Sequence, residues 1–451
     1  MQTQRDHVHA HTFMMGRLSS ALVEGDPTSA EIPGRRALTG TLLGILVVVL
    51  VAAGFAVYGW IVPGGSKAFR QAGAILVEKE TGNRYVYFGG KLHPAPNLTS
   101  AMLVQGPAAK VKLISRNSLA KVPRGPAIGI RDAPQTVPAA GDMLSGPWLT
   151  CLPGSVVDLP GDGLGINFDP RAASEPLPAD RFSVVRGGGH TYVVALGRKF
   201  RVGGDAVLVA LGAANVRPVP APRKWLDWLA TGPELEPAKI PGAGSTGPEV
   251  GGRRHPVGTL FRQRPAAGDE QLFVLRGDGL APMSRTEFLL ADADRGGEPV
   301  ELDAAAVVDA PRSTDRSLTS RLPELVGLHW QDPGDRVLCL RQQPVGRDAF
   351  GSMPVLTTRD QSAVDGEGRP FVSIPPRTGM VVTPVPQVSK LQVEAHLISD
   401  EGIAYHLLDR DAAVALKLDK ANLVPFPRSL LAALPQGPLL SHAASIGGGG
   451  R

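Results

Sequence analysis

The longest apolar run in the chain is Leu38 to Val62 (LTGTLLGILVVVLVAAGFAVYGWIV), and no charged residue occurs from Ala37 through Ser66. As a helix rising about 1.5 Å per residue, its 25 residues cover roughly 37 Å, more than a hydrocarbon core of about 30 Å. Only a helix satisfies its own backbone there, and both ends carry suitable anchors: Arg35 and Arg36 before the run, Tyr58 and Trp60 within its last turns. A core helix is seldom this long without a charge. Gly54-Phe55-Ala56 resembles a small-x-small cleavage site, but the preceding polar region runs to 36 residues and apolar character continues to Val62. A retained transmembrane helix is therefore predicted over 37–62.

Residues 1–36 read as a short arm. Met14, Leu18 and Leu22 fall at i, i+4 and i+8 with Val8 and Met15 beside them, a helical stripe. Asp26-Pro27 ends it, and Pro33-Gly34 breaks the chain before the membrane. So small an arm has no core to bury the stripe, which points to a partner protein or the membrane surface.

Beyond Pro63-Gly64-Gly65 a pattern recurs four times: a short β-rich run, a Gly-containing turn, a second run, then an apolar helical stretch. Its copies are YVYFGGKLHP at 85–94 with 97–106, YVVALGRKFR at 192–201 with 205–212, LFVLRGDGLA at 272–281 with 286–291, and HLISDEGIAYH at 396–406 with 410–416. A second frame supports it. PAPRKWLDWLATGP at 220–233 matches PFPRSLLAALPQGP at 425–438 at the prolines, the arginine and the closing Gly-Pro, and LAKVPRGP at 119–126 is a shorter echo. Such periodicity marks duplicated units that need one another to bury a face. The expected fold is α+β: one N-terminal transmembrane helix, then an elongated extracytoplasmic body of four small α/β repeats around a central β-rich domain. The repeats are placed at 63–135, 181–248, 249–311 and 386–440. The central domain pairs 136–180 with 312–385, and 441–451 is expected to be a flexible tail.

Composition adds three constraints. Gly (54) and Pro (41) are abundant for a 451-residue chain, so loops are many. The net charge of +5, from 47 basic and 42 acidic residues, has no basic stripe with interleaved aromatics; no nucleic-acid partner is expected, and a basic surface near anionic lipid is the milder inference. Arg5, Arg17, Arg35 and Arg36 before the anchor, against Lys67, Arg70 and Lys79 offset by Glu78 and Glu80 after it, favour an N-terminus in the cytoplasm. The only cysteines, Cys151 and Cys339, lie beyond the anchor. An even count in an oxidising compartment suggests one disulfide; two unrelated buried thiols fit the same sequence.

Candidate chemistry is thin. Gly242 to Gly247 fits GxGxxG but lies between Pro241 and Pro248, with no strand before it and no helix after it to meet a phosphate. Gly90-Lys91 lacks the rest of a Walker loop, and no GxSxG, HExxH or CxxC occurs. His7, His9 and His11 have metal-like spacing, with His7 and His11 on one helical face, yet no further ligand joins them. Asn97-Leu98-Thr99 matches a glycosylation sequon, but helix capping explains it more simply. No catalytic, cofactor-binding or metal residue is nominated, and no cofactor is expected.

One ordered set of motifs goes further. Arg5-Asp6 leads to Phe13, Arg17 and Ala21-Leu22; Arg35-Arg36 precede the anchor; Tyr58-Gly59 and Pro63-Gly64-Gly65 close it. EKETGNRYVY at 78–87, His93-Pro94, NLTSA at 97–101, PRGP at 123–126, Gly129-Ile130 and LPQGP at 434–438 follow. Across nearly the whole chain this resembles the EccB family of actinobacterial type VII (ESX) secretion systems. The His-rich 7–11 stretch and the basic Lys110 and Lys112 depart from the family's pattern. The resemblance implies a structural subunit joined to EccC, EccD and EccE in a hexameric inner-membrane complex, self-associating in its periplasmic part, with EccC supplying the energy and a mycosin protease as a further partner. It also implies the Cys151–Cys339 disulfide. The alternative is a membrane-anchored extracytoplasmic hydrolase of nucleotides or cell wall. Some descriptions of the family carry an ATPase label, for which these residues supply no phosphate loop.

Overall fold

The computed structural model describes residues 4–25, 35–61, 67–154, 163–388 and 393–447. The chain begins with α1 (Gln4–Glu24) and α2 (Arg35–Ile61). Within α2, Ala37–Trp60 has a mean hydropathy of 2.6, the one span among the described residues long and apolar enough to cross a membrane. The stripe on α1 is exposed at Met14, Leu18 and Leu22. The proline and glycine breaks expected at 27, 33–34 and 63–65 lie outside the described residues.

The body continues with β1 (Ala74–Glu78), β2 (Arg84–Phe88), β3 (Lys91–Ala95), α3 (Leu98–Gln105), β4 (Lys110–Ile114) and α4 (Arg116–Leu119). After β5 (Trp148–Cys151), β6 (Gly165–Asn167) and β7 (Glu175–Pro176) come β8 (Arg181–Gly187), β9 (His190–Ala195), β10 (Arg198–Arg201), α5 (Asp205–Ala210), β11 (Val219–Pro220), α6 (Arg223–Asp227) and β12 (Ala230–Thr231). A hairpin, β13 (Thr246–Val250) and β14 (Arg253–Pro256), leads to β15 (Leu260–Gln263), β16 (Gln271–Arg276), β17 (Gly279–Pro282), α7 (Arg285–Arg295), β18 (Val300–Glu301) and α8 (Ala304–Asp309). Then follow β19 (His329–Trp330), β20 (Val337–Val345), β21 (Ala349–Thr357) and β22 (Val372–Ser373). The last group is β23 (Met380–Val385), β24 (Ala395–Ile398), β25 (Ala404–Leu407), α9 (Arg410–Ala415), β26 (Leu423–Pro427), α10 (Arg428–Leu431) and α11 (His442–Ile446).

One strand order appears in four sheets: β3-β2-β1-β4, β10-β9-β8-β11, β17-β16-β15-β18 and β25-β24-β23-β26. A short turn joins the second strand of each to the third. A helix then carries the chain back so that the fourth strand can lie parallel to the first, as β11 does on β8, β18 on β15 and β26 on β23. A parallel pair needs such a crossover, and α5, α7 and α9 supply it. After each second helix the chain crosses the third strand in parallel, at Leu92–Arg124, β10–β12, Leu280–Arg312 and Ala404–Gln436. The second sheet also takes β19 on β8.

A fifth sheet, β22-β6-β5-β20-β21-β7, draws its strands from 148–176 and 337–373. Met380–Val385, grouped above with the central domain, instead pairs with β24 and β26. Residues 312–330 likewise turn away from the central sheet: Arg312 bridges Leu280, and β19 joins β8. The expected tail begins as structure. Ser441 caps α11 by accepting from the Ala444 N–H at 3.1 Å, and the His442 ring hydrogen-bonds the Leu103 carbonyl at 2.7 Å.

By compactness the chain falls into two units: Met1–Gln71, Leu76–Asn83 and Lys112–Pro123 in one, and the remainder in the other. Inside the second, one apolar cluster joins three sheets. Trp148, Ile166, Leu338 and Leu340 of the central sheet meet Trp225 of α6 and Phe426 of β26. Indole N–H groups fix the joint: Trp225 donates to the Thr150 carbonyl at 3.1 Å, and Trp228 to the Ser429 hydroxyl at 3.0 Å. The matching proline–arginine frames at 220–233 and 425–438 thus meet through Trp228 and Ser429.

Candidate functional site

Cys151 on β5 and Cys339 on β20 face each other across an antiparallel register, and their sulfurs are bonded. Both are fully buried among Leu149, Ala172, Val337 and Val355. Adjacent strands set the two thiols within reach, although 188 residues separate them in sequence. Of the two readings open from the sequence, the disulfide is the one present.

The closing Gly-Pro frame has a steric origin. Gly125, Gly232 and Gly437 each donate a backbone N–H to the third strand of their sheet, at Leu92, Lys199 and Ala404. The next residue on that strand is aromatic: His93, Phe200 and Tyr405. A Cβ on any of the three glycines would collide with the facing ring. None of them has positive φ, so the requirement is space rather than backbone conformation. In the third sheet Ser313 donates the equivalent bond to Leu280, and the residue opposite is Ala281. A small residue on the strand there admits a side chain in the frame.

The other candidates resolve into structure. Gly242 and Gly244 take positive φ in a turn that runs directly into β13, so no helix N-terminus faces the loop. His7, His9 and His11 lie exposed on α1, and among the described residues no group of three or more His, Cys, Asp or Glu could hold a metal. Asn97 is buried as the N-cap of α3. Its Oδ1 accepts from the Ser100 N–H at 2.8 Å, and its Nδ2 donates to the carbonyls of Ile130 and Arg131 at 2.7 and 3.1 Å. The Thr99 hydroxyl donates to the Pro134 carbonyl at 2.6 Å, so the sequon is consumed in packing.

Two features were missed by sequence reasoning. Ser284 and Glu287 have capping-box spacing, a signal that was available. Ser284 Oγ does accept from the Glu287 N–H at 3.2 Å, but the fully buried carboxylate turns to Arg321, with two bonds of 2.6 and 2.7 Å. Arg321 also donates to the Glu236 carbonyl, tying α7 to a distant loop. The second is the histidine pair of β24 and β25. His396 and His406 are register partners with rings stacked 4.7 Å apart. Burial first, and the His406 ring second, push His396 down to about 4; Glu394 opposes and Arg428 adds to the effect.

A surface groove of about 540 Å³ runs between the β20–β21 turn and β26. Arg347 and Asp348 are its charged lining, and Ser145 and Thr383 contribute hydroxyls.

Together these features define a chain with a helix able to cross a membrane, followed by a mixed α/β body whose central sheet is closed by a disulfide. Residues 1–447 match the family model described as "Type VII secretion system ESX-1, transport TM domain B", and the chain belongs to this EccB family. The ESX-1 secretion system ATPase EccB1 of Mycobacterium tuberculosis is 25% identical over 98% of this chain and 94% of its own length. The ESX-5 secretion system ATPase EccB5 of the same species is 28% identical over 68% of the chain, a match spanning only 63% of that relative. Among solved structures, a chain of the intact ESX-5 inner membrane complex aligns over all of this chain and 96% of itself with TM-score 0.64 at 23% identity. The EccB3 dimer of the ESX-3 core complex aligns over 83% of this chain and 99% of itself with TM-score 0.62 at 22% identity. These two establish a shared fold.

Proposed function

We propose that this protein is a structural core subunit of a type VII protein secretion machine. The carrying observation is the family match from residue 1 to 447, which takes in arm, anchor and body alike. The arm faces the cytoplasm, α2 crosses the inner membrane once, and the body stands on the periplasmic side. The disulfide supports that orientation, because such bonds persist in oxidising compartments. So does the likeness of 85% of this chain, at TM-score 0.65, to a chain of the ESX-5 periplasmic assembly.

The body is built from four repeats of one unit, supported by the strand order common to all four and the glycine–ring contact shared by three, arranged beside the disulfide-closed sheet. It self-associates in a hexameric complex with the ATPase EccC and with EccD and EccE, and a mycosin protease is a further partner. The subunit itself is non-catalytic, although curated relatives carry ATPase in their names. What favours this reading is local: the GxGxxG stretch at 242–247 runs into a strand rather than a helix.

Co-purification from native membranes tests the assignment. The full-length chain is expected to bring down EccC- and EccD-like neighbours, and its absence from any such complex sinks the proposal. ATP turnover by the purified chain that survives repurification and is abolished by a point change would favour the hydrolase reading.

A further inference from the structure

Charge is distributed unevenly. From Lys67 to Arg124 ten basic residues meet two acidic ones, a net +8 where the whole chain carries +5. Both acids are already engaged by Arg116. Glu78 Oε1 accepts from its guanidinium at 2.7 Å, and Glu80 Oε2 accepts from its backbone N–H at 3.0 Å. Among the described residues no ion pair engages Lys79, Lys110, Lys112 or Lys121, and Lys79, Lys110 and Lys121 are exposed.

On β4, charge and apolar surface coincide. The strand is the outer one of its sheet and reads Lys110, Val111, Lys112, Leu113, Ile114. Lysines on an edge strand deter pairing with another chain, which accounts for Lys110 and Lys112. It does not account for Val111 and Leu113, which alternate with them and are 52% and 65% exposed. An edge approached along its length presents aliphatic groups on one side and ammonium groups on the other. Lysine stems can lie on apolar surface while their heads meet a polar layer.

We propose that β4 docks edge-on against anionic lipid headgroups on the side of the membrane where α2 ends. The inference rests on α2 being the membrane anchor. Twelve residues separate Ile61 from Ala74, so the first sheet can stand no more than about 45 Å from the end of that helix. Tethering this short holds β4 at high effective concentration near the bilayer. Residues 125–451 carry the balance of the charge, a net −3, so the attraction belongs to this unit alone. Each lysine near an anionic surface raises the docked population roughly fivefold, and salt screens the effect beyond about 8 Å at physiological strength.

The test uses the full-length protein in nanodiscs, with Leu113→Cys carrying a fluorophore. Both native cysteines are in the disulfide, so the label has one target. Spin-labelled headgroups act as quencher, in discs of phosphatidylcholine alone or with phosphatidylglycerol. Strong quenching is expected only with phosphatidylglycerol, lost at high salt. Lys110→Gln with Lys112→Gln should lower the docked population roughly 25-fold. Equal, weak quenching in both lipids while the protein co-elutes with the disc overturns the proposal, as does protection of the label by a second copy. Failure to co-elute overturns the anchor, and the proposal with it.

Discussion

Gly437 has the ring of Tyr405 where a side chain would go, and Gly232 and Gly125 meet Phe200 and His93 in the same way. Gly437→Ala is expected to destabilise the protein by about 1–3 kcal/mol, since a packed ring must shift to admit one methyl group. Tyr405→Ala alone costs more, about 3–5 kcal/mol by analogy with other large-to-small core changes. The two should couple: in the double variant the methyl group enters space the ring has left, so the combined loss falls short of the sum by 1 kcal/mol or more, roughly. Thermal unfolding of the three variants measures this, and strict additivity would remove the ring as the reason for the glycine. The Gly-Pro frame is visible as a recurrence in the sequence. Its cause is not, because the facing residue changes from His to Phe to Tyr, and in the third sheet Ala281 opposite Ser313 relaxes the rule.

Among the elements, the β24–β25 hairpin carries a pH dependence. His396 is neutral when folded until about pH 4, whereas in the unfolded chain it titrates near its ordinary 6.5. Above pH 6.5 both states are neutral and nothing is lost. As pH falls from 6.5 toward 4, the unfolded chain takes up a proton that the folded hairpin refuses, and stability drops by up to about 3 kcal/mol. Melting temperature against pH should show this slope, and His396→Phe should flatten it over that window; an unchanged slope would assign the loss to other groups. The hairpins themselves were legible from alternating β-rich runs around glycine turns. Sheet membership was not. Met380–Val385 reads as a strand by its valines, but its partner β26 arrives some forty residues later, and local pattern carries no information on such pairing.

For the whole molecule, Cys151 and Cys339 join strands from stretches that the sequence could place together only because each holds one cysteine. Replacing both by Ala is expected to lower the stability, by at most about 5 kcal/mol in the chain-entropy account of a loop this long, and with it the unfolding midpoint. Non-reducing peptide mapping of native protein should recover the two cysteine peptides linked; finding them separate would remove both the staple and the argument for an oxidising compartment. The bond also divides the molecule mechanically. Tension entering the body from α2 reaches Cys151 along the backbone and can pass straight to Cys339 across one covalent bond. Residues 152–338, with two of the four like-ordered sheets, then lie off the loaded path, while β20 to β26 remain on it. A pull on α2 is felt by the last quarter of the chain before the middle.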